Sequence, residues 1–125
     1  MAILYRSVNQ ILKNTFFQIR LKKYVLSSGT KGFYSKPEID LEVARPLVST
    51  MHKMHRSGVD NYITVKKGKI RKLTPRECLR LMGFPDNFKQ VVSDTQLYRQ
   101  TGNSIVVNII VALLKEMDIT KFSKE

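Results

Sequence analysis

A chain of 125 residues has room for one small domain. Its 22 Lys and Arg against 10 Asp and Glu give a formal net charge of +12, which favours a polyanionic partner, either nucleic acid or an anionic membrane surface. The single cysteine, Cys78, excludes an internal disulfide and a Cys-rich zinc site, and it is typical of a protein in a reducing cytoplasm.

The amino-terminal third is basic, and its secondary structure is ambiguous. No acidic residue precedes Glu38. Residues 4–24 place apolar side chains partly at helical spacing, but residues 16–21 alternate as a strand does, so both alternatives stay open. Residues 27–32 are rich in turn formers and are predicted to form a loop.

The central third is predicted to be extended and then to turn back on itself. Residues 45–51 indicate a short extended segment with Pro46 near its start. Residues 62–65 and 69–73 indicate the two arms of a hairpin around Gly68. His52 and His55 lie three apart, but no carboxylate or cysteine pair accompanies them, so no metal site is predicted.

A first clear helix is predicted to begin after Thr74. Thr74 is the expected N-cap, Pro75 takes the first helical position, and Glu77 completes a capping box. Gly83 is expected to end this helix. Its predicted buried face consists of Cys78, Leu81 and Met82.

Two further helices are predicted beyond it. Ser93 with Gln96 repeats the cap signature, and Gly102 is expected to close that helix. Asn103 or Ser104 should then cap a third helix that runs to about residue 117. Apolar residues surround the third helix, which is typical of a helix inside a larger body, because soluble monomers avoid large exposed apolar surfaces. Residues 105–114 are too few to span a bilayer, so no transmembrane segment is expected. Phe84 and Tyr98 are interpreted as core anchors.

Two sequence blocks resemble blocks of the DNA (cytosine-5) methyltransferases. RKLTPRECLRLMGFP, residues 71–85, resembles their penultimate block, and YRQTGNSIVVNII, residues 98–110, resembles their last. ARPLVSTMHKMHRSGVDNYIT, residues 44–64, is similar to the segment leading out of the target-recognition region in many bacterial members.

This resemblance implies an α/β fold class. The chain would be the carboxy-terminal portion of a doubly wound S-adenosylmethionine-dependent methyltransferase fold, plus the end of a small target-recognition region. Residues 1–43 would end that region, and residues 44–73 would form a hinge and basic hairpin. Residues 74–117 would be the carboxy-terminal helices of the catalytic domain, and residues 118–125 a tail.

The family transfers a methyl group from S-adenosylmethionine to carbon 5 of a flipped-out cytosine. Its Pro-Cys nucleophile loop, Glu-Asn-Val block and Gly-rich cofactor loop do not occur in this sequence. Cys78 follows Glu77 in mid-helix and is interpreted as a packing group. No catalytic residue is therefore assigned.

The resemblance does imply cofactor-contacting residues. In the family the last block helps to wall the cofactor pocket, so Asn103 and Ser104 would contact S-adenosylmethionine, with Gly102 allowing a close backbone approach. The compatible alternative is that Asn103 and Ser104 are helix-capping residues.

Basic residues are candidate DNA contacts, because such residues supply affinity that does not depend on base sequence. One alternative is a solvated basic face. For Arg71, Arg76 and Glu77 the resemblance implies a structural role instead, in which they hold the small domain against the large one. The candidates are Lys53, Arg56, Lys66, Lys67 and Arg71.

The leading hypothesis is a carboxy-terminal piece of a restriction-modification type methyltransferase that acts on DNA in the bacterial cytoplasm, associated with the nucleoid through DNA. It would be inactive alone. It would either complete a separately encoded amino-terminal polypeptide or be the remnant of a broken gene. The alternative is a non-enzymatic basic DNA-binding module, which explains the charge but not the apolar third helix.

Overall fold

The computed structural model describes residues 19–65 and 68–118. Predictions for residues 1–18, for Lys66 and Lys67, and for residues 119–125 lie outside this part. Both sheets in the described part are two-stranded and antiparallel. None of the helices in these two ranges has the length and apolar character needed to cross a bilayer. In chain order the elements are helix α1 (Ile19–Val25), strands β1 (Gly29–Thr30), β2 (Phe33–Tyr34), β3 (Tyr62–Val65) and β4 (Lys69–Lys72), and helices α2 (Pro75–Leu81), α3 (Asp94–Asn103) and α4 (Val107–Glu116).

The β3–β4 hairpin forms where the sequence predicts it. Tyr62 pairs with Lys72 across the hairpin, and Gly68 takes a left-handed φ of +67° in the turn. The Lys22 ammonium of α1 donates to the Gly68 carbonyl at 3.3 Å. Helix α1 and the hairpin share one core cluster, which consists of Val25, Tyr62 and Ile70.

Residues 27–32 are not the simple loop that the sequence predicts. Gly29 pairs with Tyr34 and Thr30 with Phe33, so β1 and β2 form a short second hairpin. A Cβ at Gly29, whose φ is +104°, would overlap the Phe33 carbonyl. Only glycine therefore fits at position 29, at the start of β1, without strain.

Residues 45–51, expected to form a short extended segment, pair with no strand in the described part of the chain and enter a turn from residue 49. The side chain of Asn61 bonds both backbone groups of Arg45: the Arg45 N–H donates to Oδ1 at 2.8 Å, and Nδ2 donates to the Arg45 carbonyl at 3.0 Å. The chain then turns where the Met51 N–H donates to the Val48 carbonyl at 3.1 Å. The Asn61 side-chain amide thus makes the backbone hydrogen bonds that a neighbouring strand would otherwise make. Local sequence propensity does not predict this contact.

The caps of α2 and α3 are confirmed. The Thr74 hydroxyl accepts from the Glu77 N–H, and the Glu77 carboxylate accepts from the Thr74 N–H at 2.7 Å. Ser93 and Gln96 form the same capping box on α3. The two helices pack against each other, around a cluster of Met51, Cys78 and Tyr98.

The prediction that Leu81 lies on the buried face of α2 is wrong. Leu81 is 46% exposed, whereas Leu79 is buried together with Cys78 and Met82. Pro75 is buried at the start of the same helix. With 3.6 residues per turn these four positions lie on one face, and Leu81 lies to one side of it.

The predicted boundary between the last two helices is also wrong. Helix α3 continues through Gly102 to Asn103, and Ser104 is its C-cap residue. Helix α4 begins three residues later, after Val106, which provides no side-chain cap. The Val107 N–H instead donates to the Met82 carbonyl at 2.9 Å. The Met82 carbonyl, distant in sequence, therefore accepts the hydrogen bond that the sequence assigns to a side-chain cap at Asn103 or Ser104.

Helix α4 is apolar but has no buried residue. The expectation that it exposes a large apolar surface on this chain is confirmed. Its exposed large side chains are Ile109, Ile110, Val111, Leu113 and Leu114.

Candidate functional site

A bidentate ion pair holds the junction between β4 and α2. The two terminal nitrogens of Arg71 donate to the two carboxylate oxygens of Glu77, both at 2.7 Å. The same carboxylate closes the Thr74 capping box, so one group fixes both the helix start and the hinge. The Arg71 guanidinium lowers the pKa of Glu77 to about 2. Because the Arg71 side chain is only 11% exposed, the geometry favours its structural alternative over DNA contact.

We expect Glu77→Ala to lower the free energy of unfolding by about 2 kcal/mol, because it removes a cap and leaves a largely buried guanidinium without its carboxylate. The folded-state pKa is depressed, so the stabilisation is present above the unfolded value of 4.5 and is lost as pH falls through about 2. Urea unfolding followed by circular dichroism, at pH 7 and at lower pH, measures both effects.

The control variant is Asp86→Ala. It breaks the Arg80–Asp86 pair, whose 2.6 Å contact is as short but is exposed on both sides. Exposed pairs contribute little to stability, so this variant should unfold almost as the parent does. Equal losses in the two variants would contradict the hinge role of Glu77.

Lys72 fixes the turn at residues 51–52 against α3. The Lys72 ammonium donates to the carbonyls of Met51 at 3.4 Å and His52 at 3.5 Å, and it lies 4.6 Å from the centre of the Tyr98 ring. Burial lowers the pKa of Lys72 and raises that of Asp60. Both residues line a cavity of about 10 Å³. Lys72 is therefore engaged inside the fold rather than presented to a partner.

Cys78 is a packing residue, as the sequence indicates. Its side chain is fully buried, and burial raises the pKa of the thiol to about 12. At neutral pH it stays protonated, and a protonated thiol is a poor nucleophile.

The end of α3, at Gly102, packs on the chain's own backbone. A Cβ at Gly102 would overlap the Ser49 nitrogen and the Val48 carbonyl group. The close approach that the resemblance assigns to Gly102 is therefore made here to residues 48–49. Asn103 is exposed, and the Ser104 hydroxyl donates to the Ile105 carbonyl at 3.1 Å.

An open groove of about 460 Å³ lies beside Asn103 and Ser104. The rings of Phe84 and Phe88 in its wall are 5.0 Å apart. A concave surface with aromatic walls and a few amide and hydroxyl groups is the usual form of a small-molecule site. The sequence indicates the two polar residues, but Phe84 lines the groove rather than anchoring the core. The other lining residues are Leu79, Leu97, Arg99, Gln100 and Thr101.

The described basic candidates, Lys53, Arg56 and Arg71, have different surroundings. Lys53 is exposed. The Arg56 Nε donates to the Ser27 hydroxyl at 2.9 Å, and its guanidinium lies 5.2 Å from the centre of the Tyr24 ring. Lys66 and Lys67 lie outside the described residues.

The histidines form no ligand set in the described part. His55 contacts the carbonyl and hydroxyl of Thr50, both at 3.1 Å. Across residues 19–65 and 68–118, no group of three potential metal ligands comes together.

Comparison with known proteins identifies a common family. A family model described as C-5 cytosine-specific DNA methylase matches residues 4–118. Type II methyltransferase M1.ScrFI of Lactococcus lactis subsp. cremoris is 42% identical over 88 residues, which cover 70% of this chain and 22% of that protein. Type II methyltransferase M.HhaI of Haemophilus parahaemolyticus is 56% identical over 43 residues, which cover 34% of this chain and 13% of that protein. The chain thus spans less than a quarter of the length of these relatives.

The structure is also similar to that of the S. pombe Dnmt2 methyltransferase. The TM-score is 0.63 at 20% sequence identity, over 85% of this chain and 39% of that chain. This likeness supports the S-adenosylmethionine-dependent methyltransferase fold.

Proposed function

The chain belongs to the C-5 cytosine-specific DNA methylase family, and we propose that it supplies the carboxy-terminal part of such an enzyme. In this role it contributes the end of the target-recognition region, the hinge, and one wall of the cofactor pocket. The Pro-Cys nucleophile and the Gly-rich loop come from other polypeptide, either joined to this chain or separate. The assembled enzyme transfers methyl from S-adenosylmethionine to carbon 5 of cytosine in DNA.

The exposed apolar surface of α4 carries this proposal. Its isoleucines and leucines are about half exposed, although burying each such side chain is worth about 1.5–3 kcal/mol. The Val107 N–H bond to the Met82 carbonyl fixes the start of the helix on the α2 side. A fixed helix with an uncovered apolar surface fits a missing packing partner, and the rest of a methyltransferase domain would provide it.

The groove beside Asn103 supports a cofactor role. The Asn103 amide can both donate and accept, and the Ser104 hydroxyl lies at the same edge. These groups suit the polar edges of a nucleoside or amino-acid moiety, and the phenylalanine rings suit an aromatic base. S-adenosylmethionine, when bound, supplies the methyl group, and this chain's residues would hold it from one side.

The relatives suggest a biological setting. Several of them are Type II methyltransferases, so we place the chain in a bacterial restriction-modification system, acting on DNA in the cytoplasm. The net charge of +12 suits a DNA partner.

Complementation tests the proposal. The chain is mixed with the amino-terminal part of the 42% identical relative, cut before the segment that matches this chain. Tritium transfer from labelled S-adenosylmethionine into DNA should require both polypeptides. Transfer by the lone chain contradicts the proposal. Failure of the mixture, combined with DNA binding by the lone chain, would instead favour the non-enzymatic DNA-binding module.

Within the complemented enzyme, Asn103→Ala should weaken S-adenosylmethionine binding about tenfold, the effect of losing one good hydrogen bond. DNA affinity should change much less. Titration calorimetry for the cofactor and fluorescence anisotropy for DNA measure the two. Asn87→Ala, an exposed asparagine outside the groove, is the matched control. A larger loss of DNA affinity than of cofactor affinity would count against the assigned role.

A further inference from the structure

Arg99 carries the positive charge of the groove beside Asn103 and Ser104. The other described residues that line this groove have apolar, aromatic, amide or hydroxyl side chains. Arg99 precedes Asn103 by four residues in α3, and residues four apart are neighbours on one face of a helix. Arg99 therefore lies on the same side of α3 as the amide that we assign to the cofactor.

The Arg99 guanidinium has no partner in the part of the chain that the structure describes. It is exposed, and it makes no hydrogen bond or ion pair with residues 19–65 or 68–118. The arginines of the hinge and of α2, in contrast, all have acceptors within the chain. These pairs are Arg71 with Glu77, Arg76 with the Phe88 carbonyl, and Arg80 with Asp86. Arg99 can therefore bind a ligand without breaking a contact of the fold.

An arginine in this position favours a ligand that carries a carboxylate. The planar guanidinium presents parallel N–H donors that match the two oxygens of a carboxylate. In S-adenosylmethionine the α-carboxylate of the methionine part is the anionic group, whereas the ammonium and sulfonium groups are cationic. Arg99 would attract the first and repel the other two, so its charge distinguishes between orientations of the same ligand.

The groove favours a small molecule over a DNA phosphate as the partner of Arg99. Proteins bind the DNA backbone with several cations that each neutralise a phosphate, and Arg99 has no second cation beside it among the described lining residues. It shares the groove instead with the rings of Phe84 and Phe88. One arginine opposite aromatic rings suits an amino acid joined to an aromatic base.

We propose that Arg99 binds the α-carboxylate of S-adenosylmethionine and thereby fixes the direction in which the cofactor lies in the groove. Asn103 and Ser104 then face the methionine part, and the phenylalanine rings face the adenine. The inference rests on the proposed function for the identity of the ligand. It adds a charged residue to the three cofactor contacts that the sequence indicates.

The test compares S-adenosylmethionine with its decarboxylated form, which lacks only the carboxylate. By titration calorimetry the complemented parent enzyme should bind the intact cofactor about tenfold more tightly or better, the effect of a charge-assisted hydrogen bond. Arg99→Gln should weaken binding of the intact cofactor by that factor and leave binding of the decarboxylated form nearly unchanged. Arg99→Lys should keep part of the preference, because the charge remains but the parallel donors are lost.

The matched control is Lys89→Gln, which removes one positive charge from an exposed residue outside the groove lining. It should keep the full preference for the intact cofactor. The lone chain provides a second measurement, because the groove is lined by its own residues. In nuclear magnetic resonance spectra, the Arg99 Nε–H signal should shift on addition of S-adenosylmethionine and much less on addition of the decarboxylated form.

Either of two results would overturn the proposal. One is an Arg99→Gln enzyme that loses affinity equally for the two ligands, since a purely structural role would have that effect. The other is an Arg99→Gln enzyme that binds both ligands as the parent does but binds DNA more weakly, which would make Arg99 a phosphate contact. Failed complementation, with an Arg99 signal that still responds selectively to S-adenosylmethionine, would contradict only the proposed function. An active complemented enzyme whose preference survives Arg99→Gln would contradict only this inference.

Discussion

Replacing Ile109 and Leu113 with lysine should make the isolated chain more soluble and abolish its assembly into an active methyltransferase. The two residues lie four apart on one side of α4, and they are 54% and 53% exposed. In the lone chain the new ammonium groups are hydrated and break an apolar patch. In the assembled domain they would be buried without partners, at a cost of several kcal/mol. We expect at least a thousandfold loss of affinity for the amino-terminal part, because about 4 kcal/mol corresponds to that factor.

This prediction is specific because the same two substitutions should raise the solubility of the lone chain and prevent its assembly. Solubility is measured as the highest concentration at which the chain remains monomeric in gel filtration, and assembly by co-purification and tritium transfer. Val91→Lys is the control, because Val91 is 85% exposed and lies outside α4. If the double lysine variant assembles and methylates normally, α4 is not the interface and the proposed function fails.

Features that depend on near neighbours could be predicted from the sequence. The capping boxes at Thr74 and Ser93 depend on a partner three residues away, so the sequence pattern contains the whole interaction. The β3–β4 hairpin is predictable for the same reason. The exposure of α4 follows from its composition, because a helix with apolar residues on every side cannot be half solvated without exposing some of them.

Features that depend on distant partners could not be predicted. Asn61 bonds the backbone of Arg45, and Met82 accepts the first free N–H of α4, in each case across many residues. The sequence did not decide the role of Arg71, because an arginine at this position fits both a phosphate contact and an ion pair. Its geometry with Glu77 favours the ion pair. The β1–β2 hairpin was missed because strands of two residues are too short to show an alternating pattern.

Lys53, a candidate DNA contact, and Asn103, a candidate cofactor contact, lie next to two segments that pack against each other. The turn at residues 48–52 precedes the exposed Lys53 and packs directly on Gly102, one residue before Asn103. Lys72 holds the same turn from the hinge through the carbonyls of Met51 and His52. The position of the Asn103 amide therefore depends on the contact between Gly102 and this turn.

Gly102→Ala should therefore destabilise the chain by about 3 kcal/mol, at the upper end for overpacking, because backbone atoms occupy the space that its Cβ would take. The sign of the change in stability is informative. Gly102 lies within α3, and helix propensity alone would make alanine stabilising there by about 1 kcal/mol. Gly32→Ala is the matched control: nothing lies within 4 Å of its Cβ position, so its stability should change little. Urea unfolding compares the two, and amide hydrogen exchange at residues 48–49 locates the disturbance. If the Gly102→Ala protein is as stable as the Gly32→Ala protein, the turn at residues 48–52 moves aside at little cost. The position of Asn103 would then not depend on the contact between Gly102 and this turn.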